Sequence, residues 1–298
     1  MRTVSVFLAS MLAVNAVPAL AGKDKNAPIV LEPSSPWNVD FGDEKCRLAR
    51  MFGEGEDRHL LFIEQGGPGP RFVLMAIGPA FDSFRRPDRI SIRFEDFPWD
   101  EQRKPMLGET KGIGASLIFT QLSFEDFSDP ENEAKEQPRS EGLPRMDAEL
   151  ASAINSITLR YRDQLVVFRT GNIGDAIKVM NDCALNFVEV WGLDRGAHES
   201  MVQPPKWKNE RAVARRIQAT YPSNALRRGE GGIIRLRVTV EEDGSISDCI
   251  LNKATIADSL DSPACREMRK AQFEPALDKD GKAMRSFYTT NIVYRIGR

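Results

Sequence analysis

Between Trp37 and about Thr170 short apolar runs alternate with turn residues. His59-Leu60-Leu61-Phe62-Ile63 leads into the turn cluster Gly66-Gly67-Pro68-Gly69-Pro70, and an apolar run over 71–77 stops at Gly78-Pro79. Ile90-Ser91-Ile92-Arg93-Phe94 alternates apolar with polar, the mark of a half-buried strand. Runs over 116–122, 154–161 and 164–169 complete the set, and strands at this spacing predict a sandwich or small barrel. The period then changes. Ile173, Ile177, Met180, Ala184, Phe187 and Trp191 recur every three or four residues, which predicts a buried helix over 173–191 closing the strand-rich region. Gly192 is its expected stop.

The last quarter carries a different order of elements. Ile234, Leu236, Val238 and Val240 alternate with polar residues, Asp243-Gly244 supplies a hairpin turn, and residues 246–251 return with an imperfect alternation that fits a bulge. Ser262-Pro263 opens a helix expected over 264–271, Asp278-Lys279-Asp280-Gly281 turns the chain, and residues 287–296 form a closing strand. Helix, hairpin, helix and strand make an α+β plan with the helices on one side of an antiparallel sheet.

The joining segments read differently. Residues 22–36, with Pro28, Pro33 and Pro36, are expected to be a flexible lead-in. Residues 195–219, with Pro204-Pro205 and a basic helical stretch over 206–216, read as an interdomain connector, with a membrane-surface role as the alternative. Residues 125–149 hold nine acids against three bases and read as a solvated loop, the alternative being a docking site for a basic partner.

The first 21 residues form a targeting segment. Arg2 precedes an apolar stretch over 4–17, and Ala19-Leu20-Ala21 gives a small-x-small site with cleavage expected before Gly22. The alternative is an uncleaved anchor in the inner membrane, but the stretch over 4–21 is only eighteen residues, interrupted by Ser10, Asn15 and Pro18. The domain plan is therefore 1–21 signal peptide, 22–36 lead-in, 37–194 strand-rich domain, 195–219 connector and 220–298 small α+β domain, in an exported protein.

Composition narrows the chemistry. The 298 residues carry a formal charge of -2, which argues against a nucleic-acid-binding surface. At 41% hydrophobic and 28% charged residues, the chain is neither disordered nor a membrane bundle. Only two histidines, His59 and His198, leave no multi-histidine metal site, and no cofactor is expected. Cys46, Cys183, Cys249 and Cys265 allow three pairings; the domain plan favours Cys46–Cys183 and Cys249–Cys265. Gly108, Gly112 and Gly114 fit a Gly-x-x-x-Gly-x-Gly dinucleotide pattern, but the preceding segment is charged and the following one reads as strand, so a loop is expected. Acid, base and nucleophile signatures do not converge, and the chain is read as non-enzymatic.

The C-terminal order resembles the TonB C-terminal domain family. Tyr221-Pro222 with Ala225-Leu226, Gly232 opening a strand, Asp243-Gly244, Leu260-Asp261, Phe273-Glu274-Pro275-Ala276, Gly281 and Asn291-Ile292-Val293-Tyr294-Arg295-Ile296 carry the resemblance. It covers about residues 220–297. It implies a protein-binding module that grips an extended segment of TonB-dependent outer-membrane receptors and acts in energy-coupled transport. The physics of that grip is strand addition, in which unpaired N–H and C=O groups on a sheet edge are completed by a guest backbone. Mapped here, the accepting strand contains Tyr288, Thr289, Thr290, Asn291, Ile292, Val293 and Tyr294, with Tyr221, Pro222, Phe273 and Pro275 as family motif residues. Thr220 stands where the family has Gln before Tyr-Pro, and Tyr221-Pro222 also fits a simple helix entry. The family's energy transducers carry an N-terminal membrane helix and a Pro-rich spacer, where this chain has a cleavable signal and a strand-rich domain. The alternative is accordingly a structural or regulatory envelope protein that uses the fold for another partner or for self-association, without energy transduction.

Overall fold

The computed structural model describes residues 27–128, 142–253, 255 and 262–295. The expected signal peptide and the 129–141 part of the acidic segment lie outside them. Among the described residues no helix is long and apolar enough to cross a membrane.

The molecule is α+β, with mostly antiparallel sheets. Strands β2 (Asn38–Phe41), β3 (Cys46–Phe52), β4 (His59–Gln65), β5 (Phe72–Ile77), β7 (Met106–Thr110) and β8 (Gly114–Leu122) form a six-stranded antiparallel sheet in the order β2-β3-β4-β5-β8-β7. Strands β1 (Ile29–Leu31), β6 (Ile90–Phe94), β9 (Ser156–Tyr161) and β10 (Gln164–Arg169) form a second sheet in the order β1-β10-β9-β6. The two sheets share one core. Leu48, Leu61, Ile63 and Leu74 from the first meet Ile92, Phe94, Ile157 and Val166 from the second, and Phe52 meets Phe168 edge to face at 4.9 Å.

Helix α3 (Gly174–Val190) packs on β2 and β3, with Ile177, Met180, Ala184 and Phe187 buried as their spacing predicts. Cys183 on this helix is bonded to Cys46 at the start of β3, with Cα atoms 6.1 Å apart.

The last sheet is three-stranded, β12 (Gly232–Val240), β13 (Ile246–Lys253) and β17 (Ser286–Tyr294), in the order β13-β12-β17. One face, with Ile234, Leu236, Val238 and Val240, is covered by helices α5 (Glu210–Ala219), α6 (Ser223–Arg228) and α7 (Ala264–Met268) through Val213, Ile217, Ala225 and Met268. Cys249 on β13 is bonded to Cys265 on α7. The turn between β12 and β13 holds Gly244 at φ 79, and a Cβ there would strike the Phe273 carbonyl. Both the positive φ and the close approach require glycine. The register shifts at Thr239/Val240, so the return strand carries the expected bulge.

Four expectations need correction. The lead-in is not loose: Ile29, Val30 and Leu31 pair in parallel with Val166, Val167 and Phe168, and Pro33 bridges to Phe52. Their partner lies more than 130 residues away, so no local pattern announces the strand. The connector is built structure: it holds α4 (Arg195–Glu199), then β11 (Lys206–Trp207) paired with β14 (Phe273–Glu274), then α5, whose Val213 and Ile217 belong to the C-terminal core. Its Arg and Lys residues are the solvent side of an amphipathic helix. The glycine pattern at 108–114 is the β7–β8 hairpin rather than a loop. The acidic segment starts and ends in short helices, α1 (Glu125–Ser128) and α2 (Ala148–Ser152), and Asp126 is held at 2.6 Å by Arg103. A small hairpin, β15 (Ala276–Leu277) with β16 (Ala283–Met284), uses the predicted turn at Gly281.

Candidate functional site

The helices cover one face of the three-stranded sheet, and the chain's own upstream strands meet the other. Ile233 of β12 packs with Val73 of β5 and Ile118 of β8, and Val293 and Met106 join them. Full burial of an aliphatic side chain of this size contributes about 1.5–3 kcal/mol. At the opposite end Phe287 packs at 4.8 Å on Trp191, beyond the end of α3, and stacks on His198 at 5.8 Å. His198 Nδ1 donates to the Asp194 carbonyl at 2.6 Å, which leaves Nε2 to accept from the Ser286 hydroxyl at 3.0 Å. Burial holds this imidazole's pKa below its ordinary value.

Between the two apolar ends lies a charge cluster. The Glu64 carboxylate of β4 is fully buried and paired with Arg235 of β12, with Arg47 at 2.5 Å and with Lys45 at 3.4 Å. Burial pushes against its charge, but Arg235, Arg47 and Lys45 together hold its pKa below the usual carboxylate range. The β4–β5 turn crosses the sheet beside this pair. A Cβ on Gly66 would lie 2.7 Å from Arg235 Cδ, and one on Gly67 would lie 2.7 Å from Trp191 Cη2 and 3.2 Å from Thr289 Cγ2. A side chain at either position would push Arg235, Trp191 or Thr289 out of place.

Around this turn opens a cleft of about 930 Å³. Its walls are the Gly66-Gly67-Pro68-Gly69-Pro70 turn, Arg71, Gln121, Pro144, Pro204, Pro205 and Glu210 on one side, and residues 286–291 of β17 with Arg235 and Arg237 on the other. β17 pairs with β12 along one flank; among the described residues no strand pairs with its other flank. The cleft is lined by β17 together with Leu236 of β12 and Ile250 and Asn252 of β13, so it spreads over the sheet face and reaches the strand whose outer flank has no strand partner among the described residues.

Tyr288 is half-buried against Phe273 at 5.3 Å and Trp207 at 5.6 Å. Its hydroxyl pKa is pushed up to about 12 by burial, with the Glu210 charge adding to the effect. Thr289 faces the glycine turn, Thr290 accepts from Gln121 Nε2 at 3.3 Å, and Asn291 lines the cleft. Ile292 packs on the helix-covered core and Val293 on the opposite face. Tyr294 is buried, with its hydroxyl 2.8 Å from Ser262 Oγ and its ring 5.0 Å from Tyr221.

Of the family motif residues, Tyr221 donates to the Glu230 carbonyl at 2.7 Å and Pro222 stands at the N-cap position of α6 without a side-chain capping bond. Phe273 is core, stacked on Trp207 at 5.7 Å. Pro275 is half-buried between β14 and β15. The structure thus brings Tyr221 to Tyr294 and Phe273 to Tyr288, and all four are packing contacts. Sequence reasoning did not single out Glu64, Arg235, Trp191 or Gln121 as neighbours of this edge. The one usable signal was the doubled glycine at 66–67, which the pattern explains only as a turn.

Residues 217–296 match the family described as the Gram-negative bacterial TonB protein C-terminal region. The protein TonB of Yersinia enterocolitica is 28% identical over 82 residues, which are 28% of this chain and 29% of that protein. The likeness spans less than a third of the relative's own length. The family match falls on the segment that holds β12, β13, α7 and β17. The C-terminal quarter of the chain, residues 217–296, carries a TonB C-terminal domain.

Proposed function

We propose that the chain is a periplasmic protein whose residues 220–298 bind an extended peptide by strand addition along the free flank of β17, over Tyr288 to Tyr294, in TonB-dependent transport. Residues 37–194 are a separate domain that supports this edge. The observation that carries the reading is a sheet strand with one strand neighbour lying against an open cleft, in a segment that matches TonB. Backbone pairing supplies affinity and alternate side-chain pockets supply selectivity. The partners are outer-membrane TonB-dependent receptors, the binding needs no cofactor, and the role is non-enzymatic.

The test is a titration of the full chain with synthetic peptides spanning the TonB box of such receptors. Binding at millimolar concentration or below is expected, with backbone amides of residues 288–294 slowed in hydrogen exchange. No binding at millimolar peptide overturns the reading. Export is tested by sequencing the N-terminus from fractionated cells: Gly22 in the soluble periplasmic fraction supports it, whereas Met1 in membranes restores an anchored form.

A second reading is an envelope protein that uses this edge for a different partner, or for self-association, without transmitting force. The coverage of the opposite sheet face by the chain's own β5 and β8 favours it, because a folded body occupies the place of a transducer's spacer. Periplasmic crosslinking that recovers receptors only removes this second reading.

A further inference from the structure

Side-chain parity along the three-stranded sheet is strict. Ile233 and Arg235 of β12 pair with Val293 and Asn291 of β17, and this odd-numbered set faces the upstream strands. Thr290 pairs with Leu236 and belongs to the other, helix-covered side. Gln121 of β8 nevertheless donates from Nε2 to Thr290 Oγ1 at 3.3 Å. Since β12 occupies one flank of β17, the amide reaches this hydroxyl only by passing round the free flank. That is the position a guest strand would take, about 4.8 Å from β17.

The backbone is built to hold it there. Gln121 has φ 60, a left-handed conformation uncommon outside glycine, asparagine and aspartate. It lies where the β5–β8 ladder shifts register between Phe72 and Leu74, and a bulge of this kind re-aims a side chain. Arg71 Nη1 donates to the Gln121 carbonyl at 2.9 Å and pairs with Asp126 at 3.3 Å, which fixes the turn from outside.

We propose that the Gln121 side chain is a displaceable strap across the strand-accepting flank of β17, through which the upstream sheets regulate access to it. This rests on the strand-addition reading. A single neutral hydrogen bond of 3.3 Å is weak enough to exchange for a ladder of backbone bonds, yet it occludes the flank until a guest competes. It also protects a bare sheet edge from pairing with other chains.

The test uses the full chain with the same TonB-box peptides. Gln121→Gly deletes the side chain and keeps the left-handed backbone; Thr290→Val removes the acceptor and leaves β8 untouched. Both are expected to bind peptide about 3- to 10-fold more tightly than the parent chain, and the double variant no more tightly than either alone. Unchanged thermal transitions show that each variant is folded. Binding by the variants but not by the parent supports the strap most strongly. Equal or weaker binding by both folded variants, with parent binding intact, overturns the strap and leaves strand addition standing. Absence of binding by parent and variants alike overturns strand addition, and the strap with it.

Discussion

Strands β5 and β17 are both sheet members, yet they live under opposite conditions. β5 reads Phe72-Val73-Leu74-Met75-Ala76-Ile77 and is buried on both faces: Phe72, Leu74 and Ala76 enter the core between the two upstream sheets, while Val73 and Met75 meet the C-terminal sheet. It also has a strand on each side, β4 and β8. β17 reads Ser286-Phe287-Tyr288-Thr289-Thr290-Asn291-Ile292-Val293-Tyr294, is half-buried through its middle, and among the described residues has a strand on one side only. The comparison teaches that apolar continuity marks where a strand serves packing twice over, and that Thr289, Thr290 and Asn291 mark where backbone, not side chain, is on offer.

The contrast can be broken from the β5 side first. Replacing Cys46 and Cys183 by serine opens a loop of 137 residues, and the chain-entropy argument puts the loss near 5 kcal/mol. Urea denaturation of the variant should show it as a lower midpoint for the upstream sheets. The corresponding change at Cys249 and Cys265 opens a loop of 16 and should cost about 3 kcal/mol. Equal losses would mean that native strain or residual unfolded structure outweighs loop length.

Glu64→Ala strikes the junction itself. It leaves Arg235 and Arg47 without their buried carboxylate and should destabilise the chain by about 3–5 kcal/mol, read by the same titration. The pH dependence follows from the same group. Its folded pKa lies below the ordinary 4.5, so its contribution is complete above that value and is lost as the pH falls through the lower folded one. Glu64→Ala should flatten this acid limb. The two histidines add a milder slope beginning higher. Their folded pKa values are lowered from 6.5 by burial, so stability starts to fall as the pH drops below 6.5. His59 shows the cause plainly: Nδ1 donates to the Asp57 carbonyl and Nε2 accepts from the Ala80 amide at 3.1 Å, and a second proton would set donor against donor.

The smallest effect sharpens the reading of the family motif. Tyr221→Phe removes one hydrogen bond to the Glu230 carbonyl and should cost about 1 kcal/mol of stability. Peptide affinity should stay unchanged, because the hydroxyl is already engaged by the Glu230 carbonyl. A loss of affinity without a loss of stability would make Tyr221 a contact for the guest.

Much of the fold was legible because burial writes a period into the chain. The alternation at 90–94, the run at 164–169 and the stripe from Ile173 to Phe187 gave β6, β10 and α3 nearly residue for residue. What escaped depends on distant partners. β1 exists because β10 is there to pair with it, and β11 is two residues long because β14 is. The position of β17 was readable from its own residues, but its surroundings were not. Nothing near Gln121 announces a left-handed backbone, and nothing near Glu64 announces Arg235, which lies 171 residues further on.

Both disulfides close loops inside one body, and none of the four cysteines ties the upstream sheets to the C-terminal one. Among the described residues the seam between them is held by apolar contact, ion pairing and hydrogen bonds such as Gln121 to Thr290 and Ser286 to His198. Under tension between the two ends of the molecule, this seam, which no covalent staple crosses, is the expected fuse.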